Sequence, residues 1–284
     1  MRWVHLNGEL VAAEQAALPA LDRGLLYGCG LFETMRSYGG RVFRLAEHYR
    51  RLAAGADLLA IPVPLTLAAL EEAVDATLAR NGLSGAYLRL TLTAGAAEGG
   101  GPSVVLFARE LTEYPPELRE RGMAAVISAV RRNETSLLAR IKSLNYLDNL
   151  LAREDARRGG AGEALLLNTQ GFIAEGAASN VFLVRDGTLL TPGVEAGALP
   201  GITRQVVMEM ACEEGIEVVE TSLAPPDLFA AEEAFLTNSV MEVIPLVSVD
   251  GRPVGPGRPG PLTERLARRY SDLVARETSS APAV

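Results

Sequence analysis

The basic residues of this 284-residue chain are twenty-six arginines and one lysine, Lys142. A guanidinium keeps its proton and cannot form an imine, whereas a desolvated lysine can. The chemistry that most often demands an amine at one place is Schiff-base formation, either with a carbonyl substrate or with pyridoxal phosphate. A single solvated charge left over by an arginine-rich composition is the plain alternative. If Lys142 carries pyridoxal phosphate, the cofactor sets three further needs: an acid for the pyridine nitrogen, an anion site for the phosphate, and contacts for the phenolic oxygen.

Each need can be looked for. Glu175 opens the run Glu175-Gly176-Ala177-Ala178-Ser179-Asn180, read as lying between two strands, where a carboxylate among small residues can approach a ring and keep its nitrogen protonated. An exposed turn glutamate is the other reading, and Asn180 reads as a turn-stabilising side chain. Pro200-Gly201-Ile202-Thr203 precedes an amphipathic helix. Free backbone N–H groups and the helix dipole converge there on an anion, with the Thr203 hydroxyl added, although an ordinary cap would look the same. Thr237-Asn238-Ser239, at a strand end, is a second hydroxyl and amide cluster. Arg51, in Glu47-His48-Tyr49-Arg50-Arg51-Leu52, is a phosphate candidate or a surface charge; His48 is a general base or a structural histidine.

The elements that must position these residues form an α+β pattern. Residues 3–11 alternate around Asn7-Gly8 as a hairpin, and Leu31 to Val42 is a strand region punctuated by Gly39-Gly40. Apolar residues recur at three and four from Leu45 to Leu59 and from Leu65 to Asn81, predicting two helices. Strands follow over 87–93 and 103–108. The charged stretch from Thr112 to Gly122, with Pro115-Pro116, is the expected linker. The expected domains are therefore 1–111, a small α+β domain, and 123–277, a cofactor-binding domain, with 278–284 a fraying tail. In the second domain we expect a strand over 124–130 and a helix over 144–158, with Lys142 just before it. An antiparallel meander is expected over 164–190, a helix over 203–214, and strands over 216–220 and 233–237. Strands do not alternate regularly with helices, which disfavours a parallel Rossmann sheet.

A hydrophobic fraction of 48% suffices for a real core. A net charge of −8 argues against a general nucleic-acid or anionic-membrane binder. With no long apolar run, a soluble cytoplasmic protein is expected. Cys29 and Cys212 are too few for a disulfide framework, and neither has metal-ligand spacing to His5 or His48, so neither a disulfide nor a metal is expected.

The order of the motifs carries more than any one of them. Asp22-Arg23-Gly24-Leu25-Leu26-Tyr27-Gly28 with Leu31-Phe32-Glu33-Thr34, then Glu47 to Leu52, Ile141 to Leu147, Glu175 to Asn180, Gly201 to Arg204 and Thr237 to Pro245 occur in one succession. In it the chain resembles the class IV aminotransferases, fold-type IV pyridoxal phosphate enzymes that include branched-chain and D-amino acid aminotransferases and 4-amino-4-deoxychorismate lyases. The resemblance implies a two-domain α+β fold of mostly antiparallel sheets with flanking helices, the cofactor between the domains, in a homodimer. It further implies that Lys142 forms the imine with pyridoxal phosphate, that Glu175 pairs with the pyridine nitrogen, and that Arg51 is the phosphate arginine. Ile202, Thr203, Asn238 and Ser239 complete the phosphate cradle. Tyr146 lies near the position that contacts the phenolic oxygen in some members, at a different spacing from the lysine.

The catalytic residues serve transamination and β-elimination alike, so the substrate side must decide. Tyr27 and Gly28 with Phe32, Glu33 and Thr34, the run from Ser128 to Asn133, and Thr237 to Glu242 look most like the lyases, in which a threonine at the position of Thr34 helps move a proton. The expected reaction releases pyruvate from 4-amino-4-deoxychorismate to leave 4-aminobenzoate, a step of folate biosynthesis. Tyr87 and Arg89 instead resemble the Tyr-x-Arg of branched-chain aminotransferases, with both residues on one face of their strand. The alternative is thus an aminotransferase for branched-chain or D-amino acids with 2-oxoglutarate as acceptor. The arginine and histidine carboxylate trap of the D-amino acid enzymes is not apparent after Thr91. A non-catalytic, anion-binding dimer is the distant third reading.

Overall fold

Asn7 and Gly8 both adopt positive φ, so the chain reverses in two residues and pairs β1 (Trp3–Leu6) with β2 (Glu9–Ala12). The computed structural model describes residues 2–98, 100–112, 114–115 and 117–279. The chain folds as two compact units. The first comprises Met1–Thr112, Ile141–Asn145 and the stretch from Val274; the second comprises Glu113–Arg140 and Tyr146–Leu273.

The first unit continues with α1 (Arg23–Tyr27), β3 (Gly30–Tyr38), β4 (Arg41–Val42), α2 (Leu45–Leu58), α3 (Leu67–Asn81), β5 (Ala86–Thr93) and β6 (Ser103–Glu110). Its six strands form one antiparallel sheet in the order β2-β1-β6-β5-β3-β4. Strand alternation puts Leu31 and Met35 of β3, Leu88, Leu90 and Leu92 of β5, and Leu106 of β6 in one core. Leu52 and Ala56 of α2 and Leu70, Val74 and Leu78 of α3 pack into it. Phe32, Thr34, Tyr87, Arg89 and Phe107 therefore occupy the opposite face of the sheet.

The second unit contains α4 (Glu117–Arg121), β7 (Met123–Arg132), α5 (Leu147–Arg158), β8 (Glu163–Asn168), β9 (Ile173–Gly176), β10 (Asn180–Arg185) and β11 (Thr188–Thr191). It goes on with α6 (Ile202–Glu213), β12 (Val218–Glu220), α7 (Pro225–Ala230), β13 (Glu233–Asn238), β14 (Glu242–Val249), β15 (Arg252–Pro253) and α8 (Pro261–Thr278), whose last turn groups with the first unit. The sheet order is β12-β11-β10-β13-β14-β7-β8-β9, with β15 beside β14. Most pairs are antiparallel. The pairs β7–β8 and β11–β12 are parallel and each is connected through a helix, as such crossovers require, and β14–β7 is parallel as well.

The α+β class expected from sequence is the class observed, with local differences. Residues 117–121, expected in a linker, form α4. Strands β8 to β11 are two hairpins rather than a meander: β9 ends the sheet beside β8, while β10 pairs with β11 and β13. Helix α5 begins at Leu147, not Leu144, because residues 142–144 run alongside β3 instead. Of the expected tail, Thr278 closes α8, and residues 280–284 lie outside the described residues. Among the described residues no helix is long and apolar enough to cross a membrane.

Candidate functional site

In the first unit Lys142 is held by backbone pairing. Phe32 N–H donates to the Lys142 carbonyl and Leu144 N–H to the Gly30 carbonyl, both at 2.9 Å, so the segment extends the sheet at the start of β3. The Lys142 Nζ lies 4.7 Å from the centroid of the buried Phe32 ring, and the Arg89 guanidinium carbon lies 3.9 Å from the same ring. Thr34 is the direct cross-strand partner of Arg89. Tyr87 shares that face, its ring centroid 6.3 Å from that of Phe107 and beneath Arg109. The structure thus brings Lys142, Phe32, Thr34 and Arg89 together. Tyr27, the last residue of α1, is 72% exposed.

Behind this face, on the helix side of β3, lies a cluster centred on Glu33, a residue with no role expected from sequence. Glu33 sits between Leu31 and Met35 and is fully buried. Arg51 grips it with two bonds, Nε to Oε1 at 2.8 Å and Nη2 to Oε2 at 2.6 Å, and His48 Nδ1 lies 2.7 Å from Oε2. Burial opposes ionisation of Glu33, but the Arg51 guanidinium and its hydrogen bonds, with those of His48, outweigh it and hold the carboxyl at about 2. Burial lowers the His48 value, with the Arg51 and Lys142 charges adding to the effect and Glu33 opposing it. A neutral ring donating from Nδ1 satisfies this geometry. The signal in the sequence is an acid on an otherwise apolar stripe, read against an arginine and a histidine three residues apart on one helix.

In the second unit Glu175 lies within β9 rather than in a turn, and is 5% exposed. Its Oε2 accepts the Leu199 N–H at 2.8 Å, and Arg132 Nη2 approaches Oε1 to 3.3 Å. Arg132 is a further residue that the sequence did not single out among so many arginines. After Glu175 the chain turns at Ala177 and Ala178, whose carbonyls gather the neighbouring candidates. Tyr146 Oη and Asn149 Nδ2 donate to the Ala177 carbonyl, and Asn238 Nδ2 to that of Ala178, each at 2.9 Å. The Ala178 N–H and the Ser179 hydroxyl donate to the buried Glu163. Burial raises the Tyr146 phenol value, the Glu175 and Glu163 charges adding to it, so the phenol stays protonated.

Helix α6 starts at Ile202 with Gly201 as its N-cap and no side-chain cap bond over its first N–H groups. A Cβ at Gly201 would collide with Asn180 Oδ1, which is why glycine stands there. Thr203 is buried, its hydroxyl 3.4 Å from Tyr270 Oη. On β13 the Thr237 Oγ1 is buried without a hydrogen-bond partner. Asn238 Oδ1 accepts from the Val240 and Met241 N–H groups, fixing the turn that presents Ser239.

A family model described as amino-transferase class IV matches residues 30–249. The chain belongs to the class IV aminotransferases. They are pyridoxal phosphate enzymes, and this class IV aminotransferase has relatives along nearly its whole length. It is 40% identical over 278 residues to a Methanocaldococcus jannaschii protein provisionally named a branched-chain-amino-acid aminotransferase, covering 95% of this chain and 96% of that one. The crystal structure of the Escherichia coli branched-chain amino acid aminotransferase superposes with a TM-score of 0.91 at 35% identity, over 99% of this chain and 97% of that one. The T.th. branched-chain amino acid aminotransferase complexed with N-(5'-phosphopyridoxyl)-L-glutamate gives 0.89 at 32% identity, over 99% and 95%.

The residues of this class IV aminotransferase fit the family's cofactor. An orphaned buried hydroxyl at Thr237 and the uncapped start of α6 suit a phosphate, while a buried carboxylate at Glu175 suits a protonated ring nitrogen. The lyase reading finds no support in these relatives, and the aminotransferase alternative is the better supported. The lyase reading rested on local motifs of the substrate side, and the Lys142 and Glu175 chemistry common to both reactions carries no information on that choice.

Proposed function

We propose that this chain is a pyridoxal phosphate-dependent branched-chain amino acid aminotransferase with 2-oxoglutarate as amino acceptor, working as a cytoplasmic homodimer. What supports the substrate is the near-complete coverage of both chains in its likeness to proteins that carry that name. The glutamate adduct named for the T.th. enzyme supports the acceptor.

Bound pyridoxal phosphate supplies an aldehyde that exchanges amines and a ring that takes up the electron pair of a substrate Cα–H bond. Lys142 would be the amine that holds it and the base that moves the Cα proton. Phe32, against which the amine rests, limits its swing and excludes water. Glu175, fixed by Leu199 N–H and Arg132, holds the proton at the ring nitrogen. By the family resemblance, Arg51 would be a phosphate ligand, as would the first N–H groups of α6 at Ile202 and Thr203 and the turn of Asn238 and Ser239. Tyr146, kept protonated and anchored on Ala177, would serve the phenolic oxygen. Arg89, with Tyr87 on the same face, takes a substrate carboxylate, with its plane set by Phe32. Tyr27 and Thr34 line the substrate side.

The test supplies purified protein with L-leucine, L-isoleucine or L-valine and 2-oxoglutarate, and separately with 4-amino-4-deoxychorismate. Glutamate and branched-chain 2-oxo acids are expected from the first, and Lys142→Arg should abolish their formation. Fast release of 4-aminobenzoate and pyruvate without transamination would overturn the reading in favour of the lyase.

A further inference from the structure

We propose that Glu33 is a positioning residue for the cofactor's phosphate, acting through Arg51 rather than by touching the ligand. The proposal rests on the reading that Arg51 contacts that phosphate. A carboxylate on the apolar side of β3 is costly to bury, and its position between Leu31 and Met35 gives it no access to water. Three bonds offset that cost, two from Arg51 and one from His48.

The geometry of those bonds is directional. An arginine on a helix has a long side chain and many rotamers, but a fork on both carboxylate oxygens fixes the plane and the turn of the guanidinium together. His48 then braces the oxygen that receives the shorter of the two Arg51 bonds, and as a neutral ring it adds no charge to compete with Arg51 for the carboxylate. All three side chains come from β3 and one stretch of α2 within the first unit, so the aim of Arg51 is set by the same strand whose opening residues pair with the Lys142 segment. Well-packed apolar residues would fill the place of such a buried pair at little cost, so stability alone does not account for its presence.

The experiment uses the full-length protein stripped of cofactor and titrated with pyridoxal phosphate and with pyridoxal, which lacks the phosphate, following absorbance. In Glu33→Gln, binding of pyridoxal phosphate should weaken about 10- to 100-fold, the scale seen when a partner that orients a binding group is removed, while pyridoxal changes by less than about threefold. Wild-type preference for the phosphorylated form in Glu33→Gln, with Arg51→Gln having lost it, would overturn the proposal alone. Retention of that preference in Arg51→Gln would instead overturn the reading on which it rests. Since Glu33→Gln leaves a buried guanidinium without its carboxylate and can fail to fold, the doubly neutral Glu33→Gln/Arg51→Gln protein supplies the second measurement. Its preference should equal that of Arg51→Gln; a further loss would mean that Glu33 acts by a route other than Arg51 and would overturn the proposal.

Discussion

At the scale of single residues, composition singled out Lys142 but not what surrounds its amine. Phe32 and Arg89 are neighbours of Lys142 because β5 pairs with β3 and residues 142–144 join the same sheet, a fact of long-range register. Among twenty-six arginines Arg51 was one phosphate candidate that only the resemblance singled out, and its partner Glu33 stood in a motif with no role. Its burial against an arginine and a histidine makes a pH prediction. Its folded value of about 2 lies below the ordinary 4.5, so the stability it contributes is fully present above about pH 4.5 and is lost as pH falls toward 2. The wild-type advantage over Glu33→Gln should be on the order of 3 kcal/mol near neutrality and shrink through that window. Urea unfolding at a series of pH values measures it, and a difference that does not vary with pH would contradict the assignment. His48 acts in the same direction: its value is lowered, so an unfolded chain takes up a proton that the folded one resists, and acid again favours unfolding.

At the scale of elements, periodicity located α2 and α3 and the hairpin at Asn7-Gly8 because each is specified locally. Neither β14 nor α8 is among the elements expected from sequence. Strand β14 contains Pro245, a residue that weakens any strand assignment, and it is accommodated next to a register shift between Leu246 and Ser248. The segment carrying Lys142 was read as the approach to a helix, yet it is a strand-like edge packed on β3. Gly30 is the contact point: an added Cβ would strike the Leu92 carbonyl and lie 2.7 Å from Leu144 Cδ1. Gly30→Ala should therefore cost roughly 1–3 kcal/mol, the range for overpacking a filled site. Amide exchange should become faster at Phe32 and Leu144, whose bonds tie the two segments. Wild-type stability and exchange in this variant would show that the Lys142 segment is not held by β3.

At the scale of the whole molecule, the first unit leaves an apolar group uncovered around α1: Leu21 is 69% exposed, Leu25 70% and Tyr27 72%. Exposed apolar residues grouped in this way suit a second copy of the chain. Sedimentation of the wild type should give about twice the 30.1 kDa of one chain, and Leu21→Glu with Leu25→Glu should shift the mass toward a single copy. A dimer indifferent to both changes would place the contact elsewhere. What the sequence by itself determined is whatever is written locally or in a fixed order: the α+β class, the helices and hairpins with strong periodicity, the single lysine, and the succession of motifs that marks the family. What only the tertiary structure decided is which distant segments meet. It set β6 between β1 and β5, β14 beside β7, the Lys142 segment against β3, Arg132 against Glu175, and Glu33 beneath Arg51. Those meetings come from the burial of apolar faces and from sheet pairing across long stretches of chain, and no short window of residues contains the information that selects them.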